Sequence, residues 1–128
     1  MEVKSYRDLV IWQKSLNLVD MIYDVTESFP PKEMYGLVNQ LRRAGVSIPS
    51  NIAEGHARRS TQEFKRFLSI AKGSLAEVET QLIIANRRRY LFSDKLEEMM
   101  LLSEEISKML VSLMNKLGDR GQGLGTRD

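Results

Sequence analysis

The chain has 128 residues, the length of one domain with a single core, and 42% of them are apolar and 28% charged. It has no cysteine, which excludes disulfide frameworks, zinc–thiolate sites, iron–sulfur clusters and cysteine nucleophiles. The single histidine, His56, excludes metal or catalytic sites built from several histidines. No apolar run reaches the roughly 20 residues that a membrane-spanning helix needs. We therefore expect a cytoplasmic protein without a cofactor.

The net charge of +2 conceals an uneven distribution along the chain. Residues 1–30 and 93–128 each carry a net charge of −2, whereas residues 31–60 and 61–92 each carry +3. A basic middle between two acidic flanks indicates an anionic partner, although arginines also form solvated helix faces and ion pairs.

Apolar residues at spacings of three and four predict two helices in the first half of the chain. The first, over residues 6–28, has Ser5 as its cap and an apolar stripe of Leu9, Trp12, Leu16, Val19 and Tyr23. The second, over residues 32–57, contains Pro49, which removes a backbone hydrogen bond and predicts a kinked but continuous helix. A clean break at residues 47–50 is the alternative.

Two heptad-like seams predict two further helices. The third, over residues 61–89, opens with the capping-box pattern Ser60-Thr-Gln-Glu63, and the fourth, over residues 94–117, is capped by Ser93 or Asp94. The glycine-rich residues 118–128 are expected to be disordered. Four long helices with short connections predict an all-α, antiparallel up-down-up-down four-helix bundle.

Polar and small side chains recur on the second and third helices. A polar network between the helices would satisfy carbonyl groups freed by Pro49 and fix the helix register; its candidates are Ser47, Ser50, Asn51, Glu54, Ser74 and Glu77. A carboxylate metal site is the alternative, but His56 lies two residues after Glu54, the wrong spacing to share a helix face, so we expect no metal. Small residues such as Gly45 and Gly73 favour tight packing within one subunit over packing between subunits.

Ten basic residues of the second and third helices are the candidates for nucleic-acid binding. Seven of them form two patches, one near the connection between these helices and one at the end of the third, and the other three lie off the apolar stripes of the two helices. Phosphate contacts from such residues supply affinity without sequence choice, and no aromatic residues are interleaved for base stacking. The candidates are Arg42, Arg43, Arg58, Arg59, Lys65, Arg66, Lys72, Arg87, Arg88 and Arg89.

Several stretches of the chain together form one signature. They are YRDLVIWQK at residues 6–14, FP at 29–30, QLRRAGVSIPSNIAEG at 40–55 and EFKRFLSIAKGSLAEVETQL at 63–82. Over residues 6–117 the chain resembles the bacterial 23S rRNA intervening-sequence proteins, also called the S23 ribosomal protein family. The resemblance implies a homopentameric four-helix bundle with no established enzymatic activity, similar in fold to the basic, nucleic-acid-binding accessory protein of diversity-generating retroelements.

We therefore expect a non-enzymatic homo-oligomer, with five subunits as the resemblance implies, that binds structured RNA or DNA through phosphate contacts. Ribosomal RNA is one such partner, and neither a membrane nor a small-molecule substrate is expected. The alternative function is a protein–protein interaction scaffold whose arginines form ion pairs and which binds no nucleic acid.

Overall fold

The computed structural model describes the backbone of residues 5–123 and the side chains of residues 5–118. Its four helices are α1 (Val10–Thr26), α2 (Leu37–Ala57), α3 (Thr61–Arg87) and α4 (Ser93–Gly123), with short 3-10 turns at Tyr6–Asp8 and Pro31–Glu33. Helices that follow each other in sequence pack together, and α4 closes the bundle against α1. The predicted all-α four-helix bundle is confirmed.

The bundle core lies on the predicted apolar seams of α2, α3 and α4. Its fully buried side chains include Leu41, Ile48, Ile52, Leu68, Leu75, Leu82, Met99, Ile106 and Leu110. Burying an aliphatic side chain of this size contributes about 1.5–3 kcal/mol before the cost of chain ordering is subtracted. Among the described residues, none of the helices is both long and apolar enough to cross a membrane.

The buried face of α1 differs from the predicted stripe. Ile11, Ser15, Leu18, Ile22 and Thr26 are buried, whereas the predicted stripe lies at the edge of the core, with Tyr23 exposed. The apolar pattern does not reveal this face because two of its residues, Ser15 and Thr26, are polar. Each hydroxyl group donates a hydrogen bond to a carbonyl oxygen of the preceding turn and is therefore tolerated in the core.

The first two helices begin later than predicted. Ser5 caps the first 3-10 turn by accepting a hydrogen bond from the Arg7 amide (3.1 Å), and α1 starts only after Leu9, whose backbone is extended. The second 3-10 turn ends before α2 because the Glu33 carboxylate accepts a hydrogen bond from the Leu37 amide (3.2 Å). A carboxylate at this place compensates an unpaired amide and the helix dipole.

The remaining helix boundaries show one agreement and one larger difference. α2 passes through Pro49 without the break that was the alternative. The prediction ended the fourth helix at residue 117 and assigned residues 118–128 to a disordered tail, but α4 continues to Gly123. Gly118 therefore does not end the helix, and residues 124–128 lie outside the described part of the chain.

Candidate nucleic-acid interface

Contacts between helix ends divide the bundle into two halves. In one half, Lys65 at the start of α3 lies against Gly118 of α4, and the end of α4 lines a groove with the start of α1. In the other half, the Tyr90 hydroxyl after α3 donates a hydrogen bond to the Glu33 carboxylate before α2 (3.0 Å). We call the first the hairpin half, comprising residues 5–14, 54–66 and 105–118, and the second the opposite half, comprising residues 20–43 and 77–104.

Two predicted cations of the hairpin half are neutralised by acidic neighbours. Arg58 pairs with Glu54 (2.8 Å), and Arg66 pairs with Glu63 (3.2 Å). Both guanidinium groups also lie near the ring of the buried Phe67, at 5.1 and 4.6 Å from its centroid. The hydrogen bond from Arg66 lowers the pKa of Glu63 below its ordinary value. These two arginines therefore serve packing and ion pairing in the subunit.

Two other cations of the hairpin half have no acidic partner. Arg59 and Lys65 are exposed and form no ion pair with residues of the described chain. Arg59 has a left-handed backbone (φ 56°) at the end of α2, a position where glycine is usually favoured. An arginine at such a strained position is consistent with a requirement for its side chain.

The three candidates in the body of the bundle differ in their surroundings. Arg42 is half-buried against α1, where its Nε donates a hydrogen bond to Thr26 Oγ1 (3.0 Å) and its guanidinium carbon lies 4.5 Å from the Tyr23 ring centroid. Arg43 and Lys72 are exposed and have no ion pair among the side chains of residues 5–118. Arg42 therefore supports the packing of α1 on α2, and the other two are open to solvent.

The arginine cluster at the end of α3 belongs to the opposite half. Arg87, Arg88 and Arg89 are exposed and form no close ion pair within the described region, but the charge of Arg88 acts on the Glu33 carboxylate. Arg89 repeats the left-handed conformation of Arg59, with φ 67°. The pKa of Glu33 lies below its ordinary value, chiefly because the Leu37 amide and the Tyr90 hydroxyl donate hydrogen bonds to its carboxylate.

A polar network joins α2 to α3 at half of the predicted positions. The hydroxyl groups of Ser47 and Ser74 are 2.8 Å apart across the helix pair. The Asn51 amide donates to the carbonyl oxygen and to the hydroxyl of Ser47 (2.8 and 2.9 Å). The Asn51 bonds lie within α2 and hold the Ser47 hydroxyl, and the Ser47–Ser74 contact, which forms only in one alignment of α2 and α3, fixes their register.

The other predicted members of this network lie outside it. Ser50 and Glu77 are exposed, and Glu54 binds Arg58. Nowhere in the described chain do three histidine or acidic side chains gather as a metal site would require. His56 instead packs edge-on against the Phe64 ring, with centroids 5.7 Å apart.

The structure also shows residues that the sequence analysis passed over. Ser103, buried in the seam of α4, donates a hydrogen bond to the Glu79 carboxylate of α3. A lone serine in an apolar seam signals such a partner, because buried hydroxyl groups are nearly always hydrogen-bonded. Lys108 and Lys116 are exposed on α4 beside the groove, two turns apart on one helix face. The spacing of eight residues, which places both lysines on one face of a helix, is the sequence signal that could have identified them.

The chain is similar to a known protein family and to solved structures. The family model of the 23S rRNA-intervening sequence protein matches residues 7–112. A crystal structure from Bacteroides thetaiotaomicron VPI-5482, of a protein with unknown function from the S23 ribosomal protein family, is similar with a TM-score of 0.75 and 28% identity. The similarity covers 81% of this chain and 97% of that one. No curated protein matches. The chain belongs to the 23S rRNA-intervening sequence protein family.

Proposed function

We propose that this chain is a cytoplasmic, non-enzymatic oligomer that binds structured RNA or DNA through phosphate contacts from basic residues of α2 and α3. The observation that carries the proposal is the state of the ten candidate cations. Seven of them are exposed and form no close ion pair among the described residues: Arg43, Arg59, Lys65, Lys72, Arg87, Arg88 and Arg89. Free cations can bind phosphate without first breaking an ion pair, and membership of a family named after an rRNA insertion supports an RNA partner.

The test is the salt dependence of RNA binding. Filter binding of labelled rRNA fragments should show retention at low salt and a steep loss at moderate salt, with a slope of about 0.9 per neutralised phosphate on a duplex. Absence of retention at the lowest salt would overturn the proposal. A protein scaffold is then favoured by one specific observation, the exposure of Tyr35 (94%) and Phe92 (83%) in the connections of the opposite half.

Assembly into an oligomer, with five copies as the family resemblance implies, is supported by one glycine. A Cβ built on Gly45 would meet Ile22 Cδ1 at 2.7 Å, so close packing within the subunit accounts for that glycine. A Cβ built on Gly73 would meet no atom within 4 Å. A glycine in mid-helix costs about 1 kcal/mol relative to alanine, and packing within the subunit does not explain it.

The surroundings of Gly73 fit a contact with a second copy. Ile70, Ile83 and Ile84 are each at least 40% exposed on α3, and Gly73 with Ala76 lines a shallow depression on the same helix. Small residues let a neighbouring helix approach, and the isoleucines supply apolar area.

Gly73→Ala tests this contact. The variant should resist unfolding better by up to about 1 kcal/mol per subunit and yet lose subunits in native mass spectrometry. A wild-type chain that is monomeric at all concentrations, or a Gly73→Ala assembly as tight as the wild type, would contradict the oligomer proposal.

A further inference from the structure

We propose that the polyanion binds the hairpin half, on a surface formed by Lys65 of α3 together with Lys108 and Lys116 of α4, and that a nucleic-acid duplex is the ligand. This inference rests on the proposed function and narrows it. It adds two lysines that lie outside α2 and α3, and it leaves the arginine cluster of residues 87–89 outside the contact surface.

The first argument is that the carboxylates of the hairpin half are already engaged. Glu54 and Glu63 pair with arginines of their own helices, and Glu105 pairs with Lys14 (2.9 Å). Asp8, the remaining acidic residue of this half, is not free either. An incoming phosphate therefore meets no unpaired acidic side chain within this described surface.

The second argument is the surplus of cations that remains. The hairpin half holds eight basic and four acidic side chains. After the three ion pairs are formed, five cations have no acidic partner in the part of the chain that the structure describes: Arg7, Arg59, Lys65, Lys108 and Lys116. Unpaired, exposed cations of one sign raise the local concentration of polyanions and speed their association.

The third argument is the geometry of the lysines around α4. Lys108 and Lys116 are eight residues apart on one helix, about 12 Å along its axis, which spans several phosphates of a nucleic-acid backbone. Lys65 joins them from α3, since its Nζ lies 3.2 Å from the position of a Cβ built on Gly118. The open groove between the start of α1 and the end of α4 leaves the α4 lysines accessible.

The opposite half lacks these properties in spite of its arginine cluster. It holds seven basic and ten acidic side chains, because the acidic end of α1 and the acidic start of α4 are placed there. The acidic side chains without an ion pair in this described half include Asp20, Asp24, Glu27, Glu97 and Glu104. They oppose a second polyanion contact at the same place.

The experiment compares two triple variants that lose the same charge. Lys65→Gln, Lys108→Gln, Lys116→Gln is compared with the matched control Arg87→Gln, Arg88→Gln, Arg89→Gln. Fluorescence anisotropy with a labelled RNA duplex gives the slope of log affinity against log salt. The lysine variant should lose about 0.9 of slope for each lost contact, and the arginine variant should keep the wild-type slope. Circular dichroism checks that both variants are folded, and the triple lysine-to-arginine variant should restore the slope.

The outcomes distinguish failure of this inference from failure of the proposed function. Equal loss of slope in both triple variants, or loss in the arginine variant alone, overturns this inference and leaves the proposed function standing. If the wild-type protein does not bind the duplex even at low salt, the proposed function itself fails. Duplex binding by the wild type with both slopes unchanged also overturns the choice of surface, since the contacts would then lie elsewhere.

Discussion

The hairpin half and the opposite half are built alike but differ in how their charges are satisfied. Each contains the end of a helix with a left-handed arginine, and each contains one glutamate whose pKa is lowered. In the hairpin half the carboxylates are engaged and unpaired cations remain, whereas in the opposite half acidic side chains outnumber basic ones, because the acidic end of α1 and the acidic start of α4 lie there. The comparison shows that antiparallel packing, and not the charge of a chain segment, decides which basic residues form a basic surface.

The largest loss of stability is expected for a substitution at Gly55, where α2 and α3 pack tightly in the hairpin half. A Cβ on Gly55 would lie 2.6 Å from Phe67 Cβ, an atom next to the backbone that cannot rotate away. We therefore expect Gly55→Ala to lower the free energy of unfolding by about 1–3 kcal/mol, as overpacking does. Urea denaturation measures this. Gly45→Ala is the control. The Ile22 methyl group that the new Cβ meets can move, and alanine is favoured over glycine in a helix by about 1 kcal/mol, so the free energy of unfolding should fall by less than about 1 kcal/mol. Equal losses of unfolding free energy in Gly55→Ala and Gly45→Ala would contradict the idea that the contact with Phe67 Cβ is the more rigid one.

An effect of intermediate size is expected at the two arginines with a left-handed backbone, where substitution should change stability alike but duplex binding differently in the two halves. Arg59→Gly and Arg89→Gly each relieve a left-handed backbone, which costs about 1–2 kcal/mol in a non-glycine residue, while glycine loses about 0.4–1 kcal/mol through the unfolded state. Both variants should therefore be more stable by about 0.5 kcal/mol. Only Arg59→Gly should weaken duplex binding. Weaker binding by Arg89→Gly would show that the opposite half contacts the ligand.

The smallest effect is the response of the two glutamates to acid. A lowered pKa means that each carboxylate stabilises the fold above its ordinary pKa, and that this stabilisation is lost as the pH falls through the lowered value. Added salt should weaken the contribution of Glu63, which comes from an exposed ion pair with Arg66, more than that of Glu33, which comes from an amide and a hydroxyl group. Urea titrations of Glu33→Gln and Glu63→Gln at neutral and acid pH, with and without salt, measure this. The same salt response in both variants would argue against the distinction.

The fold was predictable because apolar residues at helical spacing dominate the seams even where a serine interrupts them. The predicted α3 seam is buried along the helix, for example at Leu68, Leu75 and Leu82, and Ser60 caps α3 as the pattern indicates, by accepting a hydrogen bond from the Glu63 amide (3.2 Å). The buried face of α1 was not predictable from hydropathy, because Ser15 and Thr26 bury their hydroxyl groups by bonding to the helix backbone. The late start of α2 depends on the Glu33 carboxylate, which caps the helix from a preceding turn.

The candidate site was less predictable than the fold. The sequence indicates that Arg42 lies off the apolar stripe, but it cannot show that Thr26 and Tyr23 on another helix hold its guanidinium group. The contribution of Lys108 and Lys116 depends on which helix end lies beside which. That arrangement is a property of the bundle, whereas charge counting along the chain treats the fourth helix as acidic.

The serine contact between α2 and α3 has a consequence for how the molecule opens. α2 packs more extensively on α3 than any other two helices pack on each other, and the Ser47–Ser74 contact fixes that alignment. The first helix has the fewest residues of the four and a groove at its beginning. Local unfolding should therefore start with α1, whose amide hydrogens exchange earliest, while the central helix pair persists as the last cooperative unit.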